Sequence, residues 1–144
     1  MRKDISYEYI RGLVEGEGTF TFSPNKLNRT IIPAFAIRMH ERDRALLELV
    51  RDKLKLKNKV YEYNYQGKDG SKRGKTATLI VREVGSLKNV IVPLFYKKLV
   101  GNKALSFEKW MDIIGMDQKV TKSYKFIYFL YKSGFYENIH DFDL

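Results

Sequence analysis

Two glutamates stand two residues apart among three glycines in the stretch Gly12-Leu13-Val14-Glu15-Gly16-Glu17-Gly18. Carboxylates are hard oxygen donors suited to a divalent cation, and Mg²⁺ keeps several of its waters and shares phosphate oxygens. Glu17 closes an apolar helix pattern, at the negative end of the helix dipole, where a carboxylate is electrostatically misplaced. Either a divalent metal or a solvated lysine would compensate it. Glu15 faces elsewhere on the helix and reads as a structural acid that satisfies backbone or a basic group.

The glycines need a separate reason. Gly12 and Gly16 lie four apart on one helical face, and each costs on the order of 1 kcal/mol of helix propensity relative to alanine. Close backbone packing against another helix explains such a pair. If that helix is a second copy of the same segment, the contact is two-fold and joins two subunits. Gly18 is expected to end the helix in the positive-φ region that glycine adopts freely.

The elements that must position these groups follow from periodicity. Tyr7 to Gly16 reads as a helix with Ser6 as its cap and Ile10, Leu13 and Val14 on one side. Thr19 to Ser23 alternates polar and aromatic residues as a half-buried strand, and Ile31 to Met39 is a second strand after a turn at Pro24 to Asn28. Arg44 to Leu56 is an amphipathic helix with Leu46, Leu47, Val50 and Leu54 on its apolar stripe. Val60 to Gln66 and Thr76 to Glu83 form a second hairpin around a Gly- and Lys-rich connection. Ser86 is placed to cap a helix carrying Leu87, Val90 and Ile91, which Pro93 should end or kink. Further helices carry Ala104, Phe107, Trp110, Met111 and Ile114, and then run from Thr121 to Tyr131. The tail from Glu137 reads as acidic and peripheral.

This order is an α+β plan, two hairpins with helices on one side, αββαββα, in a single domain spanning 1–144. Its core covers about 5–115, followed by a helical segment at about 116–136 and the short tail. The second face of each strand is rich in Thr, Ser, Asn, Gln, Arg and small residues. It reads either as ordinary solvent exposure or as a groove for nucleic acid, since strands can read base edges. Lys and Arg number 27 against 17 Asp and Glu in 144 residues, a formal charge of +10. That excess suits a polyanion, either nucleic acid or an acidic membrane surface. Hydrophobic residues at 44% exclude a disordered chain, and the absence of Cys excludes disulfides and Cys-bearing zinc sites. No apolar run approaches a spanning length and the N-terminus lacks a signal peptide's core, so an intracellular location, cytoplasm or organelle matrix, is the expectation. His40 and His140 are the only histidines and lie far apart, which gives histidine-centred chemistry little support.

The stretch Ile10-Arg11-Gly12-Leu13-Val14-Glu15-Gly16-Glu17-Gly18 resembles the signature of the LAGLIDADG homing endonucleases, and the hairpin–helix–hairpin–helix sequel resembles the family order over roughly 7 to 115. Gly101 to Phe107 also resembles a stretch found after the second hairpin of these proteins. Arg11 departs from the pattern, which usually has a small or apolar residue there. The motif occurs once, and the resemblance implies that single-motif members are homodimers whose motif helices pack at the two-fold axis, here through Gly12, Leu13 and Gly16. It implies a sheet that forms a saddle on double-stranded DNA, with no membrane partner. It also implies site-specific double-strand cleavage of a long, nearly palindromic site in an intron or similar element, leaving 3′ overhangs. Glu17 from each subunit would ligate Mg²⁺ or Mn²⁺, with Ca²⁺ binding without supporting cleavage. A basic residue assists the water, Lys103 by position, with Lys98 second.

If Glu17 points to DNA, alternation places Thr19, Thr21, Ser23 and Asn25 on the same face, with Ala34, Ala36, Arg38 and His40 beside them. The same parity assigns Glu62, Asn64 and Gln66 on the third strand and Thr76, Thr78 and Arg82 on the fourth. The loops near Lys26 to Arg29 and Lys68 to Lys75 would hold phosphates. Two other classes compete: a non-catalytic nucleic-acid-binding protein on the same fold, such as a splicing factor or regulator, and an RNA-binding α+β protein. The latter predicts exposed aromatics on the sheet face, whereas Phe20, Phe22, Tyr61 and Tyr63 are all expected on the core side.

Overall fold

In the computed structural model, residues 4–66 and 72–143 are described, with backbone alone at 65, 66 and 72–74. Helix α1 (Tyr7–Glu17) starts where the Ser6 hydroxyl accepts the Tyr9 amide at 3.0 Å. It passes without a loop into β1 (Gly18–Asn25), which a tight turn connects to β2 (Thr30–His40). A short 3₁₀ turn leads into α2 (Arg44–Lys53), then β3 (Tyr61–Gln66) and β4 (Lys72–Val81). The four strands form one antiparallel sheet in the order β1-β2-β4-β3, so β1 and β3 are its edges.

One sheet face is covered. Phe35 and Ile37 of β2 and Ala77, Leu79 and Val81 of β4 are fully buried there against Ile10 and Val14 of α1 and Leu47 and Val50 of α2. Helices α5 (Asn102–Met116) and α6 (Lys122–Ser133) complete that layer. Phe20 is its hub on β1, with its ring 5.2 to 5.6 Å from those of Phe35, Phe95, Phe107 and Trp110. The Trp110 indole N–H donates to the Thr21 carbonyl at 2.8 Å, tying α5 to β1 while satisfying a buried donor.

Several boundaries differ from expectation for local reasons. α2 stops at Lys53 because Lys55 takes a left-handed conformation (φ 57°) and the Leu56 amide reaches back to the Arg51 carbonyl at 3.0 Å. That bonding closes the helix as a Schellman-type cap, and Leu54 and Leu56 still enter the core from it. After β4, Glu83 rather than Ser86 is the cap: its carboxylate accepts the amides of Gly85 and Ser86, both at 3.0 Å. These hydrogen bonds, the Ser86 hydroxyl first, hold the Glu83 carboxyl below the usual carboxylate range.

The helix that follows is α3 (Val84–Ser86), a π turn (Leu87–Ile91) and α4 (Val92–Phe95). The Val92 amide bonds the Leu87 carbonyl five residues back, immediately before Pro93. A widened turn thus accommodates the proline, and the helix resumes. Gly18 is extended (φ −82°), so positive φ is not its purpose. A Cβ there would lie 2.5 Å from Val14 Cγ1 and 3.0 Å from the Val14 carbonyl oxygen, so glycine is required by close approach. The tail is docked rather than peripheral: Phe142 packs edge-on against Tyr7, with ring centroids 5.1 Å apart.

Candidate nucleic-acid interface and acidic centre

The two glutamates of the motif have different fates. Glu15 accepts the backbone amide of Val100 at 2.6 Å and that of Gly101 at 3.2 Å, which fixes the entry to α5. Glu17, on the last turn of α1, is exposed and makes no hydrogen bond or ion pair among the described residues. Arg11, the departure from the motif, is 4% exposed and turned away from the glycines. Its guanidinium donates to the Leu94 carbonyl at 2.8 Å, the Phe142 carbonyl at 2.6 Å and the Glu8 carboxylate at 2.6 Å. Gly12 and Gly16 are exposed, and a Cβ at either would meet nothing within 4 Å. Leu13 is half-buried beside them and Tyr9 is exposed, so α1 carries a flat, uncovered stripe on the face opposite Arg11.

Lys103 is half-buried in the first turn of α5, two residues after the Gly101 amide that Glu15 holds. The same anchor therefore ties the start of α5 to the end of α1 that carries Glu17. Lys98, the second candidate, is engaged by Asp143 of the tail at 3.4 Å. That ion pair and the His140 hydrogen bond, the latter the larger influence, lower the Asp143 carboxyl from its ordinary value.

The sheet's other face is open, and on β1, β2 and β4 it has the expected parity. Thr19 pairs with Ala36 and Thr21 with Ala34, Ala36 with Ile80, Arg38 with Thr78 and His40 with Thr76. Ser23 and Asn25 continue the row on β1, and Arg82 donates from Nε to the Ser23 hydroxyl at 3.0 Å, spanning the end of the face. Three members of the set lie on this face yet cannot be touched from it. Ala34 and Ala36 are each 1% exposed and Thr78 0%, because mid-sheet positions with small side chains are covered by their larger neighbours. Among the described residues, the Thr78 hydroxyl has no hydrogen-bond partner.

On β3 the parity is inverted. Tyr61 pairs with Thr78 and Tyr63 with Thr76, placing both tyrosines on the open face, while Glu62 pairs with Ala77 and Asn64 with Lys75 on the helix side. Glu62 reaches Arg44 at the start of α2, 3.1 Å away. Alternating aromatics suggest an inward face, but buried Val60 sets the phase and turns the tyrosines outward. Two of the four aromatics that counted against an RNA-binding reading therefore stand exposed. The side chain of Gln66 and the whole of Lys68 lie outside the described residues.

Among the described residues no group of three His, Cys, Asp or Glu comes together to hold a metal. A cation at Glu17 would draw its other oxygens from phosphate and water, a donor set that Mg²⁺ accepts. An exposed, unpaired carboxylate at a helix C-terminus fits that requirement.

The sequence profile of a family described as LAGLIDADG endonuclease matches residues 10–114, from the buried Ile10 of the motif helix to the buried Ile114 of α5. The chain belongs to this family. Among curated proteins it is similar to the probable intron-encoded DNA endonuclease 1 of Mycosarcoma maydis, 39% identical over 62 residues, which are 43% of this chain and 23% of that protein. Among solved structures it is similar to the homing endonuclease I-TnaI, at 25% identity and a TM-score of 0.58, over 78% of this chain and 73% of that one. The LAGLIDADG meganuclease I-AabMI, bound to uncleaved DNA, matches at 26% identity and a TM-score of 0.60, over 82% of this chain and 40% of that one. The chain thus spans under a quarter of the curated relative and under half of I-AabMI. Among the described residues no helix is long and apolar enough to cross a membrane.

Proposed function

We propose that this LAGLIDADG chain is a site-specific, divalent-metal-dependent double-strand DNA endonuclease that acts as a homodimer on a long, nearly palindromic site and leaves 3′ overhangs. The observation that carries this reading is Glu17: an exposed, unpaired acid at the junction of an uncovered glycine stripe and an open polar sheet face. A second copy docking on Gly12, Leu13 and Gly16 would bring a second Glu17 close to the first across a two-fold axis. I-AabMI, of which this chain matches 40%, is bound to uncleaved DNA, which supports DNA as the ligand.

Each residue then has a defined task. Thr19, Thr21, Ser23, Asn25, Arg38, His40, Thr76 and Arg82 meet the duplex with donors and acceptors suited to base edges and phosphates. Glu17 would hold a divalent metal, which would supply an activated water and charge for the leaving oxygen. Lys103 places a cation beside the developing charge, a role for which Lys98 is less suited while paired with Asp143.

Glu17→Gln keeps the side chain's size and removes its charge. Cleavage of a target duplex in Mg²⁺ is expected to vanish while duplex affinity, measured by mobility shift, stays within about twofold, as removal of one contact made only during reaction predicts. Cleavage that survives would sink the assignment. Tight duplex binding by a wild-type chain that cuts nothing would favour a non-catalytic binding protein instead.

A further inference from the structure

Tyr61 and Tyr63 stand on edge strand β3, 51% and 43% exposed, with ring centroids 6.2 Å apart and planes 35° apart. With Lys57, Lys59, Ile80 and Arg82 they line a concavity of about 380 Å³. Lys57 and Lys59 are exposed on the segment leading into β3, and Arg82 follows the end of β4. The backbone at Arg82 is fixed, because its carbonyl accepts the Tyr124 hydroxyl at 2.6 Å. Glu83, an acid in the same wall, is spent on capping α3 through Gly85 and Ser86. Asn58 spends its amide on the Ile80 carbonyl at 2.7 Å. The concavity thus presents two partly exposed aromatic rings, an aliphatic side chain and three cations, of which Arg82 also donates from Nε to the Ser23 hydroxyl.

Aromatic rings beside cations take the π-face of an unpaired base and its flanking phosphates. A duplex offers a sheet base edges and phosphates but not base faces, since those are stacked on one another. We propose that the Tyr61–Tyr63 concavity binds single-stranded nucleic acid, the rings stacking on an unpaired base while Lys57, Lys59 and Arg82 hold adjoining phosphates. The site uses neither Glu17 nor the glycine stripe and shares only Arg82 with the row proposed to meet the duplex, so it goes beyond the endonuclease reading.

Fluorescence anisotropy tests this, with labelled oligothymidylate and oligouridylate as single-stranded probes and a labelled non-target duplex as control, all at one salt concentration. Tyr61→Ala and Tyr63→Ala should each weaken single-strand binding about tenfold, the loss of one base–aromatic stack. Tyr61→Phe and Tyr63→Phe should retain it, and duplex affinity should not move. A preference between the two single-stranded probes identifies DNA or RNA as the ligand. Undiminished single-strand binding by the alanine variants overturns the proposal, and so does an equal loss on duplex, which would make the tyrosines duplex contacts. Photocrosslinking of the unsubstituted protein to a 5-bromouracil oligonucleotide avoids any folding defect. The adduct should map to the tryptic peptide spanning 60–68, and an adduct confined to other peptides overturns the proposal. Glu17→Gln should leave single-strand binding intact, so failure of the cleavage assignment is read separately.

Discussion

At the scale of single residues, Arg11 and the two glutamates show how one turn of helix divides its work. Arg11 is buried, and its guanidinium meets carbonyls at positions 94 and 142 and the carboxylate of Glu8 on its own helix. A buried guanidinium is tolerated only because those acceptors surround it. Arg11→Met keeps the apolar stem and removes every donor, leaving the Leu94 and Phe142 carbonyls unsatisfied. Urea denaturation should show a loss of about 2–3 kcal/mol, the scale of hydrogen bonds to a charged group. An unchanged midpoint would mean that water replaces the guanidinium at no cost. Glu15 and Glu17 differ for the same reason, namely what surrounds them: one is consumed by backbone amides and the other has no partner among the described residues.

At the scale of elements, the passage from α1 to β1 without a loop depends on Gly18. The Gly18 amide bonds the Val14 carbonyl while its own backbone is already extended, so helix and strand share this residue. An added Cβ would press on backbone atoms of Val14 at 3.0 and 3.1 Å as well as on its side chain. Backbone cannot yield as a side-chain tip does. Gly18→Ala should therefore lower stability by about 1–3 kcal/mol, the range for overpacking, and thermal denaturation measures it. A shift toward greater stability, as expected for removing glycine from an unconstrained site, would contradict the close contact.

For the whole molecule, the uncovered glycine stripe is the surface on which the proposed homodimer would form. A Cβ at Gly16 would meet nothing within 4 Å among the described residues, so Gly16→Leu should fold as the unsubstituted protein does by far-UV circular dichroism. Equilibrium sedimentation should find the unsubstituted chain dimeric on DNA and the variant unable to pair, with cleavage lost alongside. A single copy bound to DNA and still cutting both strands would refute the shared two-helix contact. Each copy carries a formal +10, so the proposed pairing would bring like charges together, and a duplex beneath the sheets would offset that repulsion.

The order of elements, the inward turn of Phe20 and Phe22, and the open row of Thr19, Thr21 and Ser23 were legible in the sequence. Each rests on periodicity within a few residues, which the backbone geometry of one element enforces. Tertiary structure alone decided the rest. The phase of β3 depended on which of Val60 and the tyrosines the core accepts, and a strand that slips by one residue turns every side chain over. The burial of Ala36 and Thr78 depended on the order β1-β2-β4-β3, which places them mid-sheet. The partners of Arg11 lie 83 and 131 residues away, and those of Glu15 lie 85 and 86. Local pattern carries no information about contacts at that separation, because the chain must close before such groups meet.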